Sequence, residues 1–482
     1  MATAAMPTGF PGPRVWHVLL AVSVLRGLHN GSMRRSGERT GGAWHNWAGN
    51  VAARPERSAS PGSADEVAAE IGRAAADGLT VRMAGTGHSF TPAVVTDGVL
   101  LRPDRMTSIR SVDVAAGTVT VEAGCPLHEL NSRLLSRGLS LANMGDIQVQ
   151  TVAGATQTGT HGTGRDVGGM SAQIAGLELA LADGRIVQCS ADSPSGGVIA
   201  RDGSPVNLFD AARVGLGALG IVTAVTFRVV PAFLLEAREE PMSWSGVISQ
   251  LDELTADNEH FEFYWFPHSE GCLTKRNNRT EGPARPLPRW RYLLDDEFLS
   301  NSLFGATCRL GSAFPALIPS VNSVAARALG ARTYSDAAFR VFTSPRRVRF
   351  KEQEYAIPRE ALSDALSEVR ALFQRRDWHI SFPIEVRVTP RDDVWLSTAY
   401  DRDSAYIAIH VFYTAPHQEY FTEVEAVMTS AGGRPHWGKM HTRDAHYLMA
   451  AYPRMRDYLA VRDVVDPDRR FGNDYLRQVL GD

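Results

Sequence analysis

Apolar and polar positions along this chain switch between two periodicities, and the switches mark its elements. Around 63–77, Val67, Ile71, Ala74 and Ala75 recur at helical spacing. Ser63 and Glu66 form a capping box ahead of them and Gly78 follows, so a helix is predicted there. A short apolar run over 81–84 then enters a glycine loop, Gly85-Thr86-Gly87-His88-Ser89. Alternation over 119–123 predicts a strand, and Leu127, Leu130 and Leu134 predict a helix over 126–137, ended by Gly138. Two strands, about 176–182 and 185–189, flank Asp183-Gly184, a strong hairpin signal. A β-rich run over 221–230 ends at Pro231, a reasonable domain boundary. Beyond it, 260–266, 384–389 and 406–413 read as strands, and 360–376 and 420–430 as helices. The stretch 276–291, with three prolines, reads as a surface loop. Strands mixed with helices in this second part predict an α+β protein.

Composition changes the picture only by exclusion. The 482 residues are about three times the ~150 of one domain, so two domains are expected. With 44% apolar and 21% charged residues, the chain can bury a core and is not mainly disordered. A net charge of -3 gives no field that would attract a nucleic-acid backbone, so no nucleic-acid partner is expected. The four cysteines are scattered, without zinc or disulfide spacing, so no metal is expected and a cytoplasmic location fits. The apolar stretch 18–25 is too short to span a bilayer, which leaves peripheral contact as the expected kind of membrane association. Residues 1–43 match neither a signal peptide nor a twin-arginine signal. They are read as a disordered or misassigned extension, with Met33 as an alternative start and folding from about Trp44.

Two further glycine-rich segments bear on chemistry. Over 151–164 almost no side chain is large except His161, a composition that lets backbone approach a ligand and offer N–H donors. Gly215, Gly217 and Gly220 have the spacing of a dinucleotide fingerprint. That site needs a strand before it and a helix after it, however, and here a helix-like segment precedes and a strand follows. Tight helix-to-strand packing is the better reading of these three glycines.

The glycine loop 85–89 after a strand, followed by Thr158-Gly-Thr-His161-Gly162-Thr-Gly164, resembles the FAD domain of the vanillyl-alcohol-oxidase superfamily. Ile384-Glu385-Val-Arg387, His436-Trp-Gly-Lys439 and Asp466-Pro467 with Phe471-x-Asn473-Asp-Tyr475-Leu476 together resemble the aldonolactone oxidoreductase family over about 44–481. The resemblance implies a two-part FAD-binding domain, 44–233, and an α+β substrate domain, 234–482, whose C-terminal segment returns to the flavin. It implies that Ala84, Gly85, Thr86, Gly87, His88 and Ser89 hold the FAD pyrophosphate, with His88 bonded covalently to the flavin. It also implies that Asp146, Thr151, Gly154, Thr158, Gly159, Thr160 and His161 line the flavin, and that Ile221 and Val222 lie near the adenine. Asp146 departs from the small residue some members carry. Gly145, lacking a Cβ, is expected to leave a passage for oxygen beside the ring.

Strand geometry gives the resemblance chemical content. Glu385 and Arg387 are two apart in a strand-like segment, so both leave one face and can converge on one substrate. Arg387 can hold a hydroxyl oxygen and Glu385 can position a hydroxyl or accept a proton. Lys439 can place positive charge near a reduced flavin, His410 resembles a family histidine near the substrate, and His436 is given a supporting role. The implied reaction is oxidation of the C2 hydroxyl of an aldono-1,4-lactone, with oxygen or a cytochrome-type carrier as acceptor. An alditol oxidase, a flavin-binding protein without turnover and an NADPH-fed reductase stand as alternatives.

Overall fold

A computed structural model of the chain describes residues 42–293, 301–328 and 330–481. The expected extension, 1–43, lies almost wholly outside the described residues. Strands β1 (Arg57–Ala59), β2 (Val81–Met83) and β3 (Val99–Leu101) form a parallel sheet in the order β1-β3-β2. Helix α1 (Ala64–Ala76) buries Val67, Ile71 and Ala74 against Val81, Val99 and Leu101. Ser63 caps it by accepting from the Glu66 N–H at 3.2 Å, and Gly78 ends it at a φ of +70°. The Glu66 carboxylate accepts from Gly62 N at 2.7 Å, so the box closes one residue early.

A second, antiparallel sheet runs β7-β6-β8-β5-β4, from β4 (Ile109–Asp113), β5 (Thr118–Glu122), β6 (Ile174–Ala180), β7 (Ile186–Ser190) and β8 (Ile221–Arg228). The β6–β7 hairpin turns at Asp183-Gly184, where Gly184 has a φ of +82°. Helix α2 (Leu127–Leu135) buries Leu127, Leu130 and Leu134 in the core beneath this sheet. The segment 151–164 contains a short helix, α3 (Val152–Gln157), capped by Thr151, whose hydroxyl accepts from Gly154 N at 3.2 Å.

The second half is built on an eight-stranded sheet in the order β12-β9-β11-β10-β14-β15-β13-β16. Its strands are β9 (Leu234–Ser243), β10 (His260–Trp265), β11 (Gly271–Thr280), β12 (Arg332–Ala337), β13 (Phe350–Pro358), β14 (Ile384–Thr389), β15 (Ser404–Phe412) and β16 (Arg434–Pro435). The loop expected at 276–291 is therefore wrong for its first five residues, which belong to β11. They pair with both β9 and β10, and this cross-strand pairing overrides their polar composition.

One face of this sheet is apolar. Phe261, Phe263, Ile384, Val386, Ile407, Ile409 and Tyr355 pack under helices α4 (Leu362–Arg375) and α5 (Gln418–Ser430). The alternate residues, Glu262, Tyr264, Glu385, Arg387, Tyr406, His410, Glu352 and Glu354, share the opposite face. Most of these polar side chains are also buried.

Three C-terminal helices, α6 (Ala445–Ala451), α7 (Met455–Val465) and α8 (Asp474–Leu480), enter the core of the first half. Leu448, Tyr452, Tyr458 and Leu476 pack in the same cluster as Leu208, Phe209 and Val214. Asn473 fastens this segment by donating to the carbonyls of Pro92, Ala93 and Val95.

Candidate active site

A cleft opens in the first half. Its lining includes Ala84, Gly85, Thr86, Gly87, His88 and Ser89 together with Thr151, Gly154, Thr158, Ile221 and Val222. Eleven of the residues singled out in the sequence are thus brought to one cavity. Two glycines in it are sterically required. A Cβ on Gly85 would overlap the Thr151 hydroxyl, and Gly87 has a φ of +75° with Trp44 3.0 Å from where its Cβ would stand.

The 215–220 glycines also reach the cleft, through Leu216, Gly217 and Gly220. The Arg82 guanidinium, 2% exposed, ties them down by donating to the Leu216 and Gly217 carbonyls and to that of Phe471. Packing was the right account of their order along the chain, and their contribution to the cleft was missed.

The fit of a flavin dinucleotide can be judged on these walls. Backbone is exposed where side chains would block it, and Gln150, a lining residue, has a buried side-chain oxygen with no protein partner. The residues fit the group.

The other expected flavin-lining residues fall outside this lining. Thr160 accepts from Gln150 at 3.1 Å, behind the wall. The His161 ring is turned to the substrate sheet, stacked on Tyr406 with centroids 3.6 Å apart. The space expected at Gly145 is filled: a Cβ there would stand 2.9 Å from the Thr160 methyl and 3.2 Å from the His161 carbonyl. Gly159 adopts a φ of +73° beside Val214. Asp146 instead forms ion pairs with Arg346 at 2.8 Å and Arg387 at 3.6 Å.

At its His88 end the cleft meets the polar face of the large sheet. His88 stacks on Trp47, Trp47 meets Phe350 edge-on, and Phe350 meets His410 in turn, at 5.4, 5.1 and 5.1 Å between centroids. Burial, with Lys439 nearby, pushes His88 down to about 4, so its ring is neutral at neutral pH.

Register assembles the polar face. Lys275, Glu262, Arg387 and Tyr406 stand opposite one another across four adjacent strands, and Tyr264, Glu385, Ala408 and Glu354 form the next row. Arg387 is the hub. It pairs with Glu385, and with Glu262 at 2.9 Å, in addition to Asp146. Burial, opposed by Arg387 and reinforced by Asp146 and Glu262, raises the Glu385 carboxyl. Asp146 is held well below the usual carboxylate range, because Arg387 and Arg346 outweigh its burial.

On the far side of Ala408, Glu352 pairs with Lys439 and lies 3.4 Å from His410 Nε2. Glu354 lies 3.4 Å from His161 Nε2. Glu354, His161 and His436 bring ligand-type atoms within 4.8 Å of one another. The His161 Nδ1 donates to the Gly162 carbonyl and the His436 Nδ1 accepts from Gly438 N.

Glu262, Tyr264, Arg346, Glu352 and Glu354 were not foreseen. Glu262 and Tyr264 carried a signal, as polar residues at alternate positions of the otherwise apolar run Phe261-Glu262-Phe263-Tyr264-Trp265, whereas Arg346 lies outside any strand and Glu352 and Glu354 sit in a continuously polar stretch.

A glycine-walled dinucleotide cleft that ends on a buried array of acids and bases defines a flavin-dependent oxidoreductase. The comparisons make this specific. Residues 225–479 match the D-arabinono-1,4-lactone oxidase family and residues 55–190 the FAD binding domain family. The chain is 40% identical to an L-gulono-1,4-lactone dehydrogenase of Mycobacterium tuberculosis, over 91% of this chain and 99% of that one. It is 32% identical to an L-gulonolactone oxidase of Bos taurus, over 91% and 98%. The cholesterol oxidase from B. sterolicum superposes with a TM-score of 0.76 at 18% identity, covering 91% of this chain and 96% of that one, and shares the fold. The chain belongs to the D-arabinono-1,4-lactone oxidase family, the FAD-linked aldonolactone oxidases and dehydrogenases.

Proposed function

We propose that this protein oxidises the C2 hydroxyl of an aldono-1,4-lactone, of the L-gulono, L-galactono or D-arabinono type, to a 2-keto lactone that tautomerises to an ascorbate-type enediol. The observation that carries the reading is the Arg387 hub beside the cleft, where a buried cation and a carboxylate of raised proton affinity share one strand face. Bound in the cleft, FAD would supply the hydride acceptor. Arg387 donates to the substrate hydroxyl oxygen and stabilises its developing charge, and Glu385 takes the hydroxyl proton. Glu262 and Asp146 fix the guanidinium for this role. Lys439 and His410 set the charge at the His88 end, and the neutral His88 ring is the candidate for covalent attachment. The acceptor is oxygen or a cytochrome-type carrier, and the protein works in the cytoplasm, where any contact with a membrane would be peripheral. Anaerobic mixing of the holoenzyme with each lactone, with xylitol and with NADPH tests the reading. Flavin bleaching by a lactone supports it, bleaching by xylitol alone makes the protein an alditol oxidase, and bleaching by NADPH alone makes it a reductase.

A further inference from the structure

Of the fifty basic residues in this chain, only Lys275, Lys351 and Lys439 are lysine. Two of the three lie in the buried array. The Lys275 ammonium stands 3.5 Å from Glu262, the carboxylate that also holds Arg387. Lys439 is paired with Glu352, the carboxylate that also faces His410. Lysine differs from arginine in being a compact charge that can lose its proton inside a protein, so what keeps it charged matters.

Glu352 is 5% exposed and projects from β13 directly opposite His410 on β15. Its two oxygens are divided: Oε1 is 3.4 Å from His410 Nε2, and Oε2 takes Lys439. The other His410 nitrogen, Nδ1, is 3.4 Å from the Pro383 carbonyl, so the ring is held between a backbone carbonyl on one side and Glu352 on the other. Other groups near Lys439 are Glu354 two residues along the same strand face, Asp146, the neutral rings of His88 and His436, and the Phe90 ring, whose centroid is 5.4 Å from the ammonium. We propose that Glu352 is a positioning residue that keeps Lys439 as a fixed ammonium ion and orients His410 against it. Partial burial lowers the proton affinity of Lys439, and the attraction of Glu352, then Glu354, outweighs it and holds that affinity above that of an ordinary lysine. What Lys439 contributes to turnover rests on the function proposed above; its charge state does not.

The scarcity of lysine supplies the test. With ¹³Cε-labelled lysine, the holoenzyme gives three side-chain signals whose shifts report ammonium or amine, and Lys439→Arg assigns one of them. In the wild type the Lys439 signal should remain ammonium to pH 10. In Glu352→Gln it should become amine at least one pH unit lower, kcat/KM should gain a falling alkaline limb over the same range, and Glu352→Asp should restore both. The double variant Glu352→Gln/Lys439→Arg should lack that limb, because a guanidinium does not deprotonate. A Lys439 signal that titrates identically in wild type and Glu352→Gln overturns the proposal. Should Glu352→Gln fail to load flavin, a wild-type Lys439 already neutral by pH 9 overturns it equally. Because no substrate enters the spectra, absence of lactone turnover would refute the proposed function and leave this result standing.

Discussion

Removing the Arg387 side chain should create a single orphaned charge whose identity the structure fixes. Arg387 faces three carboxylates, but two keep other partners when it is gone: Asp146 retains Arg346 at 2.8 Å and Glu262 retains Lys275 at 3.5 Å. Among the described residues, Glu385 keeps the Tyr264 hydroxyl, at 3.3 Å, and the weaker attraction of Arg346, which already pairs with Asp146. Breaking a buried pair costs about 3–5 kcal/mol because the surviving charge is uncompensated. Glu385 escapes that cost by taking a proton, since burial already favours its neutral form. The sign follows from linkage. A carboxyl whose folded proton affinity exceeds its unfolded one loses stability as pH rises through the folded value. Arg387→Ala should therefore be strongly destabilised at pH 8 and much less at pH 5. Arg387→Ala/Glu385→Gln should be nearly independent of pH over that range and more stable than the single variant at pH 8, a coupling that a double-mutant cycle measures directly. Thermal unfolding of the four holoenzymes, followed by intrinsic fluorescence and flavin release, reads it. Equal losses at both pH values, or a double variant no better than the single one at pH 8, would refute the assignment of Glu385 as the orphan.

Four other outcomes are expected. Acid precipitation should leave flavin in the pellet if His88 carries it covalently, and His88→Ala should release it to the supernatant while still binding some FAD. Gly85→Ala should abolish flavin loading, because its Cβ would overlap the Thr151 hydroxyl, and Thr151→Ala in the same chain should restore part of it; unchanged loading in the single variant would remove the steric argument. Glu385→Gln should slow flavin reduction at least ~100-fold and remove the acid limb of its pH profile, since the proton acceptor must be ionised. Gly145→Ala should weaken flavin binding through displacement of Thr160, with Thr160→Ser relieving it; a change in reoxidation by oxygen alone, with binding unaltered, would return Gly145 to a gating role.

What could be read from the sequence divides along a physical line. Elements whose signals are local were legible: the Ser63 cap and Gly78 stop of α1, the Asp183-Gly184 turn, and the period-two run of β14 were each placed within two residues. So was the glycine loop 85–89, since a backbone that must approach a ligand writes small residues into consecutive positions. The residues missed are those whose meaning comes from pairing. Lys275, the partner of Glu262, was not singled out, and Arg276 to Thr280 beside it were assigned to a loop because they are polar; nothing in that stretch states that Glu262 stands opposite Lys275 on β10. Asp146 and Arg346 are two hundred residues apart and meet only because two loops converge on the same sheet face. Gly145 shows the opposite error. A missing Cβ was read as open space, whereas the space is occupied by Thr160, and only packing could show which.

The same line bears on why the substrate sheet carries chemistry. An alternating strand in an α+β domain ordinarily turns its polar residues to water, and the charges then need no partners. On β10, β13, β14 and β15 the polar residues are buried as thoroughly as the apolar ones, with Glu262, Glu352, Glu354, Glu385 and Arg387 each under a tenth exposed. Desolvation on that scale is tolerated only where charges find opposites; the strand register supplies Lys275 to Glu262 and Glu262 to Arg387, and Lys439 reaches Glu352 from the segment after β16. Replacement of such pairs by apolar residues is often neutral or stabilising in other proteins, so fold stability alone gives little reason to keep them. A row of paired charges at the end of a glycine-walled cleft is instead what a reaction that moves a hydride and a proton in opposite directions requires: a fixed cation to hold the oxygen, a carboxylate to take the proton, and enough surrounding charge that neither moves when the substrate arrives.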